Sequence, residues 1–231
     1  MKILTIDTST TTNSVALTMG GRLLAEFIVN PDRNHSSSLM HGLDMVLKST
    51  GISLDELDAI GVSQGPGSFT GLRVGIATAK GLVLASGKPL VAFSSLAMLA
   101  MNLPFAEYPV CAMFDAKKNE VYAALFRCRE LPETLLAERV MPPADFLSQF
   151  RGPTLFVGSG AVRYQDLIVQ ALGDLALFAP PLCHQPRASA GAVLAADLFA
   201  RGELASPAAL VPSYLRASEA ELARLKKQTA A

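Results

Sequence analysis

The stretch that decides the fold is residues 59–96, AIGVSQGPGSFTGLRVGIATAKGLVLASGKPLVAFSSL. It opens on a short apolar run that predicts a strand, and the Gly-Pro-Gly sequence at 65–67 then supplies the residues that a tight turn requires. Ser68 or Thr70 can cap a helix over 71–85, because a hydroxyl oxygen accepts a hydrogen bond from a free helical N–H group. The pattern predicts a strand, a glycine loop, a helix, a second strand and the start of another helix.

Two features of this helix predict that other groups contact it. Gly71, Gly75 and Ala79 place small residues along one side, which allows another element to approach the backbone closely. Arg73 lies in the first turn, where a cation opposes the helix macrodipole by a few tenths to about 1 kcal/mol. Arg73 is therefore expected to have an acidic or an external partner.

A glycine loop before a helix also suggests phosphate binding, because free N–H groups and the positive end of the dipole can face an anion. The spacing does not support it. Thr70 and Leu72 stand where a GxxxxGK[ST] loop would need its second glycine, and Thr70 also replaces the third glycine of a dinucleotide fingerprint. A tight strand-to-helix turn is the favoured interpretation.

Composition limits the classes of partner. Half of the 231 residues are apolar and 17% are charged, with 20 basic and 20 acidic residues. A balanced chain has no overall attraction for nucleic acid or anionic lipid, so an RNA contact would be local or carried by another subunit. Excess apolar residues favour buried interfaces. Three isolated cysteines without a CxxC spacing favour reduced thiols in a cytoplasmic protein. The sequence shows neither a signal-peptide core nor a membrane-spanning run, so we expect a soluble protein with no membrane partner.

The rest of the chain repeats one pattern twice. In the first half, antiparallel strands are predicted at 2–7, 13–19 and 23–29, a helix at 35–49 and a capped turn at 53–57, ahead of the stretch above. In the second half, strands are predicted at 110–115, 120–127, 135–140, 155–157 and 176–178, and helices at 144–150, 162–172 and 189–200. The proline-bounded segment 103–109 separates the halves. This is a duplicated βββαβαβα unit, which predicts an α/β protein of two lobes, 1–104 and 105–231, with a cleft between them.

The cleft gives candidate binding residues. Asp7 and Asp115 each end the first strand of a lobe and could hold a metal or phosphates, although an aspartate in this position often bonds only its own turn. A glycine loop follows the strand at 155–157. The candidate phosphate or nucleotide site therefore comprises Asp7, Ser9, Asp115, Gly158, Ser159 and Gly160.

Metal and nucleophilic chemistry find little support. The three histidines, His35, His41 and His184, form neither HExxH nor HxxxH, and six residues on a helix place His35 and His41 on different faces. No GxSxG elbow is present. The serines at 36–38 are better explained as a helix N-cap than as nucleophiles. A hydrolase would lack a recognisable nucleophile and base.

Four segments carry a family resemblance: ILTIDTSTTTNSVAL near the N-terminus, the glycine-loop stretch 63–96, DAKKNEVYAALF at 115–126 and PSYLR at 212–216. Together they resemble the TsaB family, the non-catalytic subunits of bacterial tRNA threonylcarbamoyladenosine synthesis. The resemblance implies a glycoprotease-like family member with two ribonuclease H-like lobes, in the superfamily of actin, sugar kinases and heat-shock ATPases. The catalytic paralogue TsaD holds its metal through an HxxxH motif, whereas the corresponding helix here reads HSSSLMHGLDMVL.

The resemblance also implies partners. TsaB-like proteins bind TsaD through their first two helices, and the ATPase TsaE docks on the pair. This implies no cofactor for the chain itself, tRNA contact only through the complex, and a homodimer of the isolated subunit. ATP and metal belong to the partners. The residues that carry over as partner-binding are Leu39, Leu43, Val46, Leu72, Arg73, Ile76, Lys80 and Val83.

Alternatives remain open at this point. The apolar stripes of the two helices can cover their own sheet as well as a partner. If they bind a partner, Leu72→Glu and Leu43→Arg would leave the fold intact and abolish the complex. A rival function is an ATP-dependent phosphotransferase using the cleft. The charged segment 219–227 is expected to form a terminal helix that either docks on the first lobe or stays free.

Overall fold

The computed structural model describes residues 1–30 and 35–216. Its first sheet has the strand order β3-β2-β1-β4-β5. The three N-terminal strands pair antiparallel, and β4 and β5 add in parallel on the other side of β1. The strands of this sheet are β1 (Lys2–Asp7), β2 (Asn13–Met19), β3 (Arg22–Val29), β4 (Ala59–Gly65) and β5 (Leu90–Ser94).

The second sheet repeats this topology. Its order is β10-β9-β6-β7-β8, so that β6 takes the central place of β1 and again pairs antiparallel on one side and parallel on the other. The predicted duplication is thereby confirmed. The strands are β6 (Val110–Asp115), β7 (Val121–Cys128), β8 (Pro132–Met141), β9 (Thr154–Val157) and β10 (Ala176–Phe178).

Seven α-helices lie within the described residues. The two long ones belong to the first lobe, and Ser68 caps the second of them by accepting a bond from the Gly71 N–H at 3.3 Å. The single helix predicted at 162–172 is instead two helices that meet at Tyr164, whose backbone leaves the helical region. The helices are α1 (His35–Thr50), α2 (Phe69–Ser86), α3 (Ser95–Ala100), α4 (Pro143–Leu147), α5 (Ser159–Arg163), α6 (Gln165–Leu172) and α7 (Ala188–Ala200).

The elements form layers around three apolar clusters. Helices α1 and α2 cover the outer face of the first sheet, over a core that includes Leu4, Val15 and Ile60. Helices α4, α5 and α6 cover the outer side of the second sheet. Helices α3 and α7 lie between the sheets, where Phe93 and Phe114 join one cluster drawn from both lobes.

Helix α7 shows how the lobes are joined. It follows the last strand of the second sheet, yet it packs on β1 and β2 of the first sheet. The Thr5 hydroxyl donates a bond to the Ala188 carbonyl at 2.8 Å, and Arg187 forms an ion pair with the buried Glu26 carboxylate on β3. The lobe boundary at 104 and 105 stays a prediction, because α7 belongs to the second lobe only by its position in the chain.

After α7 the chain returns across the first lobe as a strap, residues 201–216. The Ala205 N–H bonds the Leu90 carbonyl at 2.8 Å, and the Ser213 N–H bonds the Gln64 carbonyl at 2.7 Å. Arg216 then pairs with Glu120 of the second lobe at 2.6 Å. The strap thus runs from the edge of the first sheet to the second lobe, and the terminal helix predicted at 219–227 lies outside the described residues.

Candidate functional site

A cavity of about 680 Å³ lies between the lobes, at the ends of β1 and β6 where the sequence places the cleft. Its wall combines hydroxyl groups, aromatic rings and three cations. The residues that line it are Ser9, Thr10, Thr11, Gly67, Ser68, Phe69, Thr70, Phe114, Asp115, Ala116, Lys117, Tyr122, Ser159, Val162, Arg163, His184, Gln185, Pro186 and Arg216.

On the first lobe, the glycine loop closes over the turn that follows β1. The Ser68 N–H donates to the Ser9 carbonyl at 2.7 Å, and the Thr8 hydroxyl donates to the Gly71 carbonyl at 2.7 Å. A Cβ atom on Gly71 would lie 2.0 Å from the Thr8 carbonyl oxygen, and one on Gly75 would lie 2.3 Å from the Thr8 hydroxyl. The small-residue ladder therefore serves an internal contact, between the GPGSFTGLR loop and the DTST turn.

Asp7 lies beneath this contact and does not line the cavity. Its side chain is fully buried, and its Oδ1 accepts bonds from the Ser9 N–H at 3.1 Å and from the Ser63 hydroxyl. Its Oδ2 has no hydrogen-bond partner among the described residues. Burial raises the pKa of Asp7 above its ordinary value, while the bonds from Ser63 and Ser9 oppose that shift. A carboxyl in this setting is protonated more readily than one in water.

Asp115, at the same place in the second lobe, faces the cavity. Its Oδ2 lies 3.0 Å from Lys117 Nζ and 3.2 Å from an Arg163 guanidinium nitrogen. Its Oδ1 accepts the Lys117 N–H at 2.9 Å, and its own N–H donates to the Ser159 hydroxyl at 3.2 Å. The carboxylate is thus held by two cations and by its own turn.

The glycine loop after β9 is hydrogen-bonded to another part of the same chain. The Gly158 N–H donates to His184 Nδ1 at 3.0 Å, and a Cβ atom on Gly158 would lie 2.2 Å from the Met113 carbonyl oxygen. Partial burial lowers the pKa of His184, which favours the neutral ring that accepts this bond. His184 takes up an N–H group that a phosphate would otherwise use.

The structure separates the predicted cleft residues into two groups. Ser9, Asp115 and Ser159 line one cavity, whereas Asp7, Gly158 and Gly160 lie behind its surface. The wall residues that sequence reasoning missed include His184, Arg163 and Arg216. Arg216 stands in the quoted PSYLR segment and could have been included, but His184 and Arg163 belong to no motif.

Neither metal ligands nor membrane helices stand out in residues 1–30 and 35–216. No group of three or more His, Cys, Asp or Glu side chains is placed to hold a metal ion there. Over the same residues, no helix combines the length and apolarity that crossing a bilayer requires.

The structure corrects the predicted role of the apolar side chains on α1 and α2. Five of the side chains expected to contact a partner are at most 4% exposed and pack within the first lobe: Leu39, Leu43, Val46, Leu72 and Ile76. The expectation that Leu72→Glu or Leu43→Arg leaves the fold intact is wrong, because either charge would be buried among apolar neighbours. Periodicity selected the stripe that faces the sheet and not the opposite one.

Other side chains make the outer surface of these helices. Leu84 on α2 is 89% exposed, and Met40 and Met45 on α1 are 54% and 47% exposed. Arg73 is also exposed, and Lys80 and Val83 are half-buried. The outward side of α1 and α2 therefore combines large apolar groups with Arg73 and Lys80, which form no ion pair with residues 1–30 or 35–216, and we call it the outer helix face.

Comparison with known proteins agrees with this architecture. Residues 22–224 match the family described as TsaD, tRNA N6-adenosine threonylcarbamoyltransferase. The chain is 33% identical to the tRNA threonylcarbamoyladenosine biosynthesis protein TsaB of Bacillus subtilis (strain 168), over 99% of this chain and 100% of that protein.

Solved structures extend the agreement to the fold. YeaZ from Pseudomonas aeruginosa superposes with a TM-score of 0.81 at 31% identity, covering 93% of this chain and 99% of that one. Component A of the Acidaminococcus fermentans (R)-2-hydroxyglutaryl-CoA dehydratase, at 11% identity and a TM-score of 0.53, covers 87% of this chain and 99% of that one and shares the fold alone. The predicted α/β fold, two lobes that each contain a mixed five-stranded sheet of the same topology, is confirmed. From these matches, the chain belongs to the TsaB family of tRNA threonylcarbamoyladenosine biosynthesis proteins.

Proposed function

We propose that the chain takes part in tRNA threonylcarbamoyladenosine synthesis as a non-catalytic subunit that binds and activates the catalytic paralogue TsaD. Docking of α1 and α2 would stabilise the active form of TsaD. The size of that effect is limited by the difference in affinity of this chain for the active and inactive forms. TsaE would dock on the pair, and tRNA would be contacted through the complex.

The observation that carries the proposal is the apolar outer helix face. Leu84, Met40 and Met45 are large apolar side chains at least 47% exposed on two adjacent helices. Methionine and leucine on a helical surface suit packing against helices of another protein. The isolated chain would cover the same face with a second copy. We place the complex in the cytoplasm, where its tRNA substrate is made.

The cleft supports a role without catalysis. The glycine loop and the DTST turn bond each other over Asp7, and His184 occupies the Gly158 N–H. In the second lobe, Asp115 is already paired with Lys117 and Arg163. A nucleotide would have to displace these internal contacts, so we propose that the chain has no cofactor of its own.

An ATP-dependent phosphotransferase is the alternative, and the 680 Å³ cavity favours it. Asp115, Ser159 and Ser9 on its wall could contact a bound phosphate. Titration calorimetry of the purified chain with ATP and Mg²⁺ decides between the two. Saturable binding with phosphate transfer would replace the subunit proposal, and no heat beyond dilution is expected.

Reconstitution tests the proposal directly. The chain is combined with TsaD, TsaE, the adenylate-forming synthase and unmodified tRNA, and threonylcarbamoyladenosine is measured by mass spectrometry. We expect product to require this chain. Equal product in its absence would reject the activator role.

Two surface variants locate the interface. Leu84→Glu and Met45→Glu each place a charge on the outer helix face and are expected to abolish co-elution with TsaD and to reduce product at least tenfold, as loss of an interface anchor does. Val169→Glu is the matched control, because Val169 is 48% exposed on α6 of the second lobe. If all three variants behave alike, the interface lies elsewhere.

A further inference from the structure

The turn between β6 and β7 has an unusual backbone, and we call its residues 116–120 the lysine turn. Lys117, Lys118 and Asn119 follow one another with φ angles of 61°, 54° and 58°, in the left-handed region. Asparagine adopts this region several times more often than most residues with a side chain, whereas lysine rarely does. Such a strained backbone persists only where the surrounding contacts fix it. The contacts at the two ends of the lysine turn therefore decide whether it keeps this conformation.

Both ends of the lysine turn are held by Arg216 of the strap. One guanidinium nitrogen donates to the Ala116 carbonyl at 3.0 Å, and another lies 2.6 Å from the Glu120 carboxylate. Ala116 directly precedes the three left-handed residues, and Glu120 directly follows them. The Arg216 and Glu120 side chains are only 29% and 30% exposed, so solvent screens this ion pair less than a fully exposed one. Arg216 thus clamps the turn from outside the hairpin.

The same end of the strap is fixed to the first lobe, and we call residues 213–216 the strap end. The Ser213 N–H donates to a carbonyl of β4 at 2.7 Å. The Tyr214 ring stacks on Phe69 at the start of α2, with centroids 5.0 Å apart. The Tyr214 hydroxyl also accepts a bond from Arg73 Nε at 2.8 Å. Within four residues, the strap end contacts the first lobe and then the second.

These contacts border the cavity between the lobes. Phe69, Lys117 and Arg216 all line it, from α2, the lysine turn and the strap end respectively. Lys117 also pairs with Asp115 at 3.0 Å, so the conformation of the lysine turn fixes the charges on this part of the wall. Because the strap end joins both lobes beside the cavity, the lobes cannot separate there until its contacts break.

We propose that the strap end is a latch on the cavity between the lobes. In the closed state, which the structure shows, Arg216 holds the lysine turn in its left-handed conformation and Tyr214 stacks on Phe69. In the open state, Arg216 releases the turn, its backbone relaxes, and the lobes separate around the cavity. Strain in the turn favours the open state and the clamp favours the closed one, so the loss of one side-chain contact shifts the populations. The latch goes beyond the proposed function, because it concerns the cavity and not the outer helix face.

Hydrogen exchange of the whole chain, measured by mass spectrometry, tests the latch. We expect Arg216→Gln to raise exchange in the lysine turn and the strap end on the order of tenfold, and to leave the rest of both sheets within about twofold of wild type. Glu120→Gln removes the charge of the other partner and should give a smaller increase in the same segments. Arg127→Gln is the matched control, because Arg127 pairs with Glu133 at 3.0 Å within the β7–β8 hairpin. It should leave the lysine turn unchanged.

Lys118→Asn tests whether backbone strain drives the release. Asparagine adopts the left-handed region more readily than lysine, so the turn should keep its conformation without the clamp. In the Lys118→Asn chain, we expect Arg216→Gln to raise exchange in the lysine turn by less than about threefold. An increase as large as in the wild-type background would show that strain does not drive the release, and the inference would be overturned.

A single tryptophan reports the opening of the cavity. The chain contains no tryptophan, so Phe69→Trp introduces a unique fluorophore on the cavity wall, against the Tyr214 ring. In the Phe69→Trp chain, we expect Arg216→Gln to raise the acrylamide quenching constant roughly twofold, because the strap end no longer covers the ring. Arg127→Gln should leave the quenching constant unchanged.

Three further outcomes would overturn the inference. If Arg216→Gln changes neither exchange nor quenching, the strap end does not hold the lobes together. If it raises exchange equally throughout both sheets, the contact contributes to global stability and not to a local latch. If it raises exchange in the lysine turn and leaves quenching unchanged, Arg216 fixes the turn without closing the cavity. None of these results bears on the reconstitution with TsaD, so failure of the latch and failure of the proposed function are distinguishable.

Discussion

Asp7 and Asp115 occupy the same position in the two copies of one fold, yet they have opposite surroundings. Each ends the central strand of its sheet, as the register of β1 and β6 shows. Asp7 is fully buried, and its Oδ2 has no hydrogen-bond partner in the described part of the chain, whereas Asp115 reaches the cavity and contacts Lys117 and Arg163. The duplicated topology therefore places a carboxyl group at the end of each central strand. The neighbouring segments determine whether that group is buried or exposed to the cavity.

The difference comes from the loop that covers each strand end. In the first lobe, glycines at 67, 71 and 75 let the loop and α2 close directly on the turn after β1. In the second lobe, the turn contains lysines, and the short helix α5 leaves its strand end open to the cavity. Asp7 at the end of β1 is thus covered, while the turn above it lines the cavity, and the first lobe also presents its two long helices. This contrast favours a docking role for the first lobe.

The largest expected effect is on stability and tests the burial of Leu72 in the first lobe. Leu72 is 1% exposed and packs near Gly65, so Leu72→Glu would bury a charge without a partner. We expect a loss of about 4 kcal/mol or more in the free energy of unfolding, measured with urea. Leu84→Glu, on the same helix at 89% exposure, should change it by less than about 0.5 kcal/mol. Similar values for the two variants would show that Leu72 is not part of the core.

A smaller effect tests the contact between the loop and the turn. Gly71→Ala places a Cβ atom 2.0 Å from the Thr8 carbonyl oxygen, so the turn after β1 must move. We expect a loss of about 1–3 kcal/mol in the free energy of unfolding. Gly81→Ala is the matched control, because a Cβ atom there meets nothing within 4 Å and should stabilise α2 by roughly 0.5–1 kcal/mol. Equal destabilisation by both substitutions would show that the loss at Gly71 does not come from its close approach to Thr8.

Local sequence patterns were sufficient for most of the fold. The strands at 2–7, 13–19, 110–115 and 176–178 match their predicted bounds, because alternation and turn residues are local signals. The layer that α7 occupies could not be predicted, since its apolar residues suit either sheet. The interruption between α5 and α6 at Tyr164 could not be predicted either, because no glycine or proline lies at that position.

The candidate site was less predictable, because it depends on contacts across long sequence distances. His184 meets Gly158 over 26 residues, and Arg216 meets Glu120 over 96. Helical spacing identified α1 and α2 as amphipathic. It could not show that the regularly spaced apolar residues face the sheet, because a helix that also binds a partner has apolar residues on two sides. The exposed methionines and Leu84 follow only from the packing.

The pH dependence of stability tests the burial of Asp7 at the end of β1. The raised pKa means that the native protein keeps a proton that the unfolded chain releases above about pH 4, so this group lowers stability as pH rises through that window. Asp7→Asn keeps an acceptor for Ser9 and Ser63 without the charge. We expect it to exceed wild type in free energy of unfolding by about 1 kcal/mol at pH 8 and to lose that advantage toward pH 4. A difference that does not vary with pH would contradict the burial argument.

Substituting Asp115 tests the open strand end and should respond to salt instead. The cations that hold Asp115 are 76% exposed at Lys117 and 50% exposed at Arg163, so solvent screens both ion pairs. We expect Asp115→Asn to lower the free energy of unfolding by less than about 1 kcal/mol at 50 mM NaCl, and by less again at 1 M. Asp7→Asn should be insensitive to the same change in salt, because the described groups that contact Asp7 are hydroxyl and backbone N–H groups. If both variants respond alike to salt, the two carboxyls share an environment, and the contrast between a closed first lobe and an open second lobe is wrong.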